Sequence, residues 1–212
     1  MSNLRFLQLG WVLALALIGV MLAGGFQTPT EKTGVVDFSK FVDDSDVGKQ
    51  VKQEFADMKS AREGLLEFID TYRVLTPEQA QKIRDLSLKT DRTPADNAAL
   101  DSAKADVIAQ SKKSTELSTK SNLTPEDRAL LEEYARRSQN MNDTAQRWLR
   151  EFGNEMQSWM DKQKLMIIDK ARVAIADVAK QQGYTIVFEV GVAPYGANDL
   201  TQPALDAMNA KK

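Results

Sequence analysis

The sequence contains no cysteine and no histidine. Without these side chains the chain has no thiolate or imidazole metal ligand, no cysteine or serine–histidine nucleophile system, and no side chain that ordinarily titrates near neutral pH. The carboxylates of the helices have no such partner, and we interpret them as solvated helix faces. We therefore expect neither an enzyme nor a cofactor or metal site.

Aromatic residues are scarce, at 7%, whereas 27% of all residues are charged. This balance is lean for a thick globular core but ordinary for helices exposed to solvent. The formal net charge is −2 at pH 7. Because a nucleic-acid-binding protein would carry a basic excess, we expect no nucleic-acid partner.

The N-terminus has the layout of a secretory signal peptide. Arg5 precedes a long apolar run that ends in small residues. These features predict a signal peptide over residues 1–25, with cleavage between Gly25 and Phe26. The alternative is an uncleaved membrane anchor, because the apolar stretch Leu9–Phe26 is just long enough to span a bilayer. In either case the rest of the chain is exported.

Residues 26–44 are predicted to form a linker and the first strand of a small body. A polar spacer leads into the sequence GVVDF, whose β-branched residues favour a strand. Its apolar positions are Val35, Val36 and Phe38. A lone strand is not stable, so its partner must come from far along the chain or from another subunit.

Residues 45–182 are predicted to form a helical arm. Three Thr-Pro pairs divide it, because threonine caps helices and proline is tolerated at the first helical position. The predicted helices are 45–73, 77–90, 94–121 and 125–182. In the first and last of these helices, apolar residues recur at spacings of three and four residues, which indicates that the two helices pack against each other along their length. The first seam comprises Val47, Val51, Phe55, Met58, Arg62, Leu65, Ile69 and Tyr72. The last comprises Tyr134, Ser138, Met141, Ala145, Trp148, Phe152, Met156, Trp159, Gln163 and Met166.

The point at which the arm reverses has two candidates, Asp91–Pro94 and Ser121–Pro125. Similar outward and return lengths favour the second, with kinks absorbing the excess length of the outward leg. The return helix, Pro125–Gln182, would be about 87 Å long at about 1.5 Å per residue. Because this exceeds the needs of a compact domain, we expect the arm to project.

Residues 183–212 are predicted to return to the body. Gly183 fits the position just after a helix, and Tyr184 opens an apolar strand. Ile186, Phe188 and Val190 share one face of that strand.

The remaining residues suit a second short strand and an end helix. The second strand is predicted at Val192–Tyr195, with a turn at 196–199. Thr201 is predicted to cap the end helix, which turns Leu205 and Met208 inward.

The order of these segments resembles a known family. A leader is followed by a GVVDF strand, a helix opening DSDVGKQVKQEF and a long helical arm. The sequences AIADVAKQQGYTIVFEV and APYGANDLT and an amphipathic helix then end the chain. This series is similar to the OmpH/Skp family of periplasmic chaperones for outer-membrane proteins. The resemblance covers both ends of the mature chain, whereas the middle matches only in helical character.

The resemblance implies an α+β fold, in which a long hairpin-like, coiled-coil arm projects from a small β body assembled between subunits. It implies a homotrimer in which unfolded outer-membrane proteins, the clients, are held without ATP in a cavity between the arms. The body strands, with Val35, Val36, Phe38, Ile186, Phe188 and Val190, would carry the assembly. The chain departs from the family in one respect, since members often have strongly basic arms and this chain is slightly acidic.

Large apolar residues on the return helix are the candidate client-binding residues: Trp148, Met156, Trp159 and Met160. Adaptable side chains, methionine especially, suit the capture of varied unfolded segments. The alternative is that they pack within the arm's own helix pair, since Trp148 and Trp159 lie on the seam. Met160, one step round the helix, is the better candidate for the open face.

The sequence thus predicts a periplasmic, ATP-independent holdase with no cofactor, which contacts the membrane only through its leader if that leader is retained. The alternative function is a membrane-anchored structural coiled-coil protein of the envelope, favoured if Leu9–Phe26 is not cleaved.

Overall fold

The computed structural model describes residues 31–211. The predicted leader and the expected cleavage between Gly25 and Phe26 lie outside these residues. The described chain forms β1 (Thr33–Val36), α1 (Phe38–Asp44), α2 (Asp46–Thr71), α3 (Pro77–Leu88), α4 (Pro94–Thr119), α5 (Pro125–Gln181), β2 (Ile186–Glu189) and α6 (Thr201–Ala210). Within this range, none of the helices combines the length and hydropathy that crossing a membrane requires. The fold is therefore mostly helical with one small sheet.

The sheet joins the two ends of the described chain. β1 pairs with β2 in parallel, with Thr33 opposite Ile186 and Val36 opposite Glu189. On its other edge, the Val35 N–H donates to the Asn198 carbonyl at 2.8 Å. The first strand therefore finds its partners far along the same chain, one of the two alternatives that the sequence left open.

Three sequence predictions for the body are wrong. Phe38 is not in the strand, because Asp37 accepts the Ser39 N–H and begins α1. Val192–Tyr195 forms turns rather than a second strand. Thr201 does not cap α6 with its side chain, since its hydroxyl instead accepts the Asp37 N–H at 2.9 Å.

A cluster of buried residues around the sheet forms the body core. It is contributed by β1, α1, the start of α2, the end of α5, and the chain from Leu200 onward. Its members are Val36, Phe41, Val51, Ile167, Ala171, Ala174, Ile175, Val178, Ala179, Leu200, Ala204, Leu205 and Met208. The predicted inward placement of Leu205 and Met208 is confirmed.

The arm is built on α2 and α5, which run antiparallel. Phe55 stacks on Trp159 with 6.3 Å between ring centroids, and further out Arg62 bonds Glu155 at 3.1 Å. α5 is a single helix of 57 residues, or about 86 Å. It ends where predicted, since Gly183 has a positive φ of 72° that other residues rarely adopt.

The outward leg does not run straight to the tip. Arg137 donates to the Val74 carbonyl, yet Arg84 contacts Glu151 and Glu155, so α3 runs back toward the body. α4 then runs outward again, and Gln110 reaches Arg137. The prediction that kinks absorb the excess length is therefore wrong, because a full reversal at α3 absorbs it.

The middle of the arm consequently has its own core, the arm core, made by four helices and the loop after α2. Its members are Leu65, Ile69, Val74, Leu75, Ala80, Ile83, Leu100, Ala103, Val107, Tyr134, Met141, Trp148 and Phe152. Between the two cores lies a neck, residues 52–64 of α2 and 153–166 of α5, in which no residue is buried. Gly64 and Gly153 lie at its outer end.

In each of the two loops that flank α4, a lysine bonds an aspartate in the first turn of the next helix, a contact that we call the clasp. Thr93 and Thr124 each cap the next helix, and both belong to capping boxes with an aspartate three residues later. Lys89 reaches Asp96 at 2.7 Å, and Lys120 makes the equivalent contact with Asp127. The hydrogen bonds from Lys89 and from Thr93 lower the pKa of Asp96 to about 2. These loops are thus held by ionised aspartates.

Candidate functional site

Large apolar side chains are exposed in two regions of the described chain, the body and α5. In the body they are Ile186 (41% exposed), Phe188 (39%), Val192 (72%) and Tyr195 (98%). On α5 they are Leu149 (63%), Leu165 (62%), Met166 (37%) and Val173 (57%). Groups of exposed large apolar side chains are candidate interaction sites.

The body surface follows from the alternation of β2. Val187 packs against the body core, so Ile186 and Phe188 point to the opposite face of the sheet. Among residues 31–211, only β1 pairs with β2, and its other edge carries no strand. This edge and face can accept another β element.

The six predicted assembly residues divide into two groups. Val35 and Val36 are buried in the subunit's own body, and Phe38 and Val190 are half-buried. Ile186 and Phe188 remain exposed. Only these last two are available for contact with another subunit without a change in the body.

The predicted client-binding residues lie mostly on the inner seam of the arm. Trp148 is only 2% exposed, and it packs beside Phe152 with the Arg84 guanidinium 5.1 Å from its ring. Met156 and Trp159 are half-buried. Client binding by these residues stays a prediction.

Met160 does not face outward. It is half-buried and packs against the body core, because the buried face of α5 rotates as the helix leaves the arm core and enters the body. The expectation that Met160 lies on an open face is therefore wrong. The open positions near the body are Leu165 and Val173 instead.

Sequence reasoning missed Leu149, Leu165 and Val173 as surface residues. Apolar residues spaced three and four apart mark the side of α5 that packs against other helices, and these three residues do not lie on that side. An apolar residue that is out of phase with the seam is the available signal. Met166 was assigned to the seam but is exposed, because α3 and α4 do not extend to this part of α5.

A charged network surrounds the buried aromatic residues of the arm. Arg84 of α3 bonds Glu151 at 2.9 Å and lies 3.7 Å from Glu155. Arg62 of α2 bonds the other oxygen of Glu155 at 3.1 Å. Both guanidinium groups also lie near the Phe152 ring, at 5.4 Å for Arg62 and 5.1 Å for Arg84. The network ties three helices together at the outer end of the neck.

The carboxylates with displaced pKa values serve structural contacts. Hydrogen bonds from Arg137 and Arg136 lower the pKa of Glu133. The Lys120 clasp lowers the pKa of Asp127 in the same way as that of Asp96. The described residues contain no group of acidic side chains that could hold a metal ion. The candidate functional surfaces are the apolar side chains exposed on the body and on α5.

Comparison with models of known protein families shows which family has this architecture. A family model described as Outer membrane protein (OmpH-like) matches residues 32–208. The match includes the body, the neck and the whole arm. The chain belongs to the OmpH-like family. The resemblance seen in the sequence is thereby confirmed.

Membership has direct functional consequences. OmpH-like proteins are periplasmic chaperones for outer-membrane proteins, and membership suggests the same broad role for this chain. Searches of curated proteins and of solved structures found no match to the chain.

Proposed function

We propose that the chain is an ATP-independent periplasmic holdase that forms a homotrimer and holds unfolded outer-membrane proteins in a cavity between three arms. The observation that carries the proposal is the family match over residues 32–208, which spans both the body and the arm. A helical arm with exposed apolar residues suits binding, and residues 31–211 contain no group of side chains that could hold a metal ion.

The body supports assembly through β2. Its open edge and the exposed side chains of Ile186 and Phe188 form a surface whose apolar part is unfavourably exposed to water in a monomer. A neighbouring subunit would cover both the edge and the side chains. Three such contacts close a ring, so that no open strand edge remains.

The inner part of the arm supports client binding. Leu165, Met166 and Val173 lie within about two turns of each other on α5, beside the exposed acid Asp169 and base Arg172. Many weak apolar contacts of this kind hold an unfolded chain without selecting one sequence. No single residue of this surface should therefore be essential.

A direct test dilutes an unfolded outer-membrane barrel protein from urea into the purified mature chain. Light scattering should fall as the chain approaches one trimer per client. The double substitution Leu165→Ser/Val173→Ser should weaken this protection, whereas Gln157→Ser, at an exposed polar position of the same helix, should not. Unchanged aggregation at a molar excess of trimer rules out the holdase function.

Assembly is tested separately by sedimentation. The native chain should have the mass of a trimer, and Phe188→Glu should shift it toward the monomer because a charge would be buried at the contact. Gln181→Glu, exposed at the end of α5, is the matched control. A native monomer mass contradicts the trimeric cage. N-terminal sequencing of the exported chain distinguishes a soluble chaperone, which begins at Phe26, from an anchored one.

A further inference from the structure

The aromatic face of the arm is covered by a short segment of the same chain. On this face, the covered face, lie Leu65 and Ile69 of α2 and Trp148 and Phe152 of α5. α3 covers it, inserting Ala80 and Ile83 into the arm core and extending Arg84 over the aromatic rings. Trp148 and Phe152 therefore owe part of their burial to α3.

α3 depends on its packing against the arm for its stability. It has 12 residues, and helices of this length are marginal unless packing supports them. The Ser87 hydroxyl of α3 and the Arg62 Nε of α2 are buried with no hydrogen-bond partner among the described residues. Both residues line the cleft at the end of α3, and movement of α3 would widen the access of these two groups to water.

The cover also fits imperfectly on two sides. A cleft of about 800 Å³ between α3, α4 and α5 opens onto Trp148, with Leu86 and Ala99 in its walls. A second cleft of about 550 Å³ opens at the end of α3, onto Leu88 and Trp159. The first cleft therefore borders the covered face at Trp148, and the second lies beside it, at the neck.

The contacts of α3 show which chemistry the covered face accepts. Small and branched apolar side chains enter the arm core, and the adjacent arginine lies between aromatic rings and acids. The Arg84 guanidinium is 5.1 Å from the centroid of the Trp148 ring and bonds Glu151 at 2.9 Å. Aromatic rings and carboxylates together favour a cation. An apolar segment that carries arginine or lysine would reproduce these contacts.

The connections of α3 permit a hinged movement. The Lys89–Asp96 clasp joins α3 to α4, so the two helices can move as one hairpin. The irregular segments 72–76 and 120–124 flank that hairpin. α4 is mostly polar, and only Leu100, Ala103 and Val107 enter the arm core from it. Leu117 of α4 is buried as well, so movement of the hairpin uncovers these four apolar residues of α4 together with Ala80 and Ile83 of α3.

From these observations we infer that α3 occupies a client-binding surface of the arm while no client is bound. The α3–α4 hairpin swings away, and the covered face then binds apolar segments of an unfolded protein that carry arginine or lysine. This inference rests on the proposed chaperone function and adds a second, gated binding surface to the exposed residues of α5. It also gives Trp148 a client contact despite its burial in the closed arm.

Covalent closure of the arm tests the inference. The chain has no cysteine, so Arg84→Cys/Glu151→Cys provides a unique thiol pair for a short bis-maleimide linker. The matched control is the same protein with each thiol capped by N-ethylmaleimide. Because apparent affinity falls with the fraction of open molecules, linking should weaken protection of an unfolded outer-membrane barrel by about tenfold or more relative to the capped protein.

If the linked and the capped protein protect the client equally, the proposal that the covered face binds clients after the hairpin opens is wrong. If the unmodified chain protects the client in the same assay, the chaperone function stands and only the cover fails. Circular dichroism of both forms confirms that the helices are retained.

The chemistry of the partner is tested on the unaltered chain with a labelled peptide of residues 77–88. This peptide should bind, and a peptide with Arg84→Glu should bind at least about tenfold more weakly, because it would place a carboxylate beside Glu151 and Glu155. The linked protein should bind neither peptide. Equal binding of the two peptides, or binding of the first to the linked protein, contradicts the inference.

Discussion

The body core and the arm core are assembled from the chain in different ways. In the body, residues far apart in sequence meet, as where the Asp37 N–H donates to Thr201, 164 positions away. In and beside the arm core the bonds are shorter in sequence, as between Arg84 and Glu151 across 67 positions and between Arg62 and Glu155 across 93. The body thus joins the two ends of the described chain, whereas the arm core is formed by consecutive helices of the arm between those ends.

The two cores also differ in composition. The body core consists largely of alanine, valine, leucine and isoleucine around Phe41. The arm core contains Tyr134, Trp148 and Phe152, and guanidinium groups lie at its edge. Interlocked aliphatic residues favour a single fixed packing. Aromatic and cationic groups can exchange partners, which suits a part of the molecule that changes its contacts.

The largest expected effect comes from removing the centre of the body core. Phe41 is fully buried, so Phe41→Ala should lower the free energy of unfolding by about 3–5 kcal/mol. Urea unfolding followed by circular dichroism measures this loss. Phe38→Ala, at a half-buried position in the same helix, is the control and should cost clearly less. An equal cost for both would mean that the body core is not centred on Phe41.

A matching change in the arm core should act on the arm alone. Ile83 of α3 is fully buried, and Ile83→Ala should cost about 2–5 kcal/mol. In a chain that begins at Phe26 and so lacks Trp11, and that carries Trp159→Phe, the emission of Trp148 should shift to the red, while hydrogen exchange in α6 stays unchanged. Loss of protection in α6 would show that the two cores are one cooperative unit. Leu86→Ala, half-buried on the same helix, should have the smaller effect.

A change in the neck between the cores should be mildly stabilising. A Cβ added at Gly153 would meet no atom within 4 Å, so Gly153→Ala should raise the free energy of unfolding by about 0.5–1 kcal/mol. Gly34→Ala in the body should do the opposite, because its Cβ would lie 2.8 Å from Leu200 Cδ1. Thermal unfolding of both variants checks the signs. Destabilisation by Gly153→Ala would reveal a packing role for this glycine.

The smallest expected effect is local and depends on pH. The pKa of Asp96 is lowered to about 2, so its contribution to the α3–α4 loop is complete above about pH 4 and is lost as the pH falls toward 2. Lys89→Met removes the main cause and should raise this pKa toward the ordinary value of an aspartate. NMR titration of the carboxyl group measures the change. Lys120→Met is the control, since it should move the pKa of Asp127 and leave that of Asp96 in place.

The helix boundaries could be predicted because local signals specify them. Thr76, Thr93 and Thr124 each accept the N–H three residues on, as the Thr-Pro pairs indicated. Gly183 ends the long helix with the expected positive φ. A further signal was present but unused, since a lysine four residues before Thr93 and Thr124 supplies the clasp in both loops. Caps and clasps act within one or two turns, so the sequence displays them directly.

The direction of α3 could not be predicted, because periodicity shows which face of a helix is buried and not what buries it. Ala80 and Ile83 form the inner face of α3 whether the helix continues outward or turns back. The same limit hid the burial of Trp148 beneath α3 and the outward turn of Leu165. The short helix α1 was missed because the strand pattern was extended through Asp37, which is its N-cap.

The pairing of β1 with β2 also dictates the order of events when the chain folds. Lys32 and Thr185, which bond at the start of the sheet, are 153 positions apart. Bringing them together in a flexible chain is slow, whereas the helices of the arm form from local contacts and carry the two ends toward each other. We therefore expect the body to be the last part to form. In a chain that emerges N-terminus first, β1 has no strand partner until residues 186–189 have appeared.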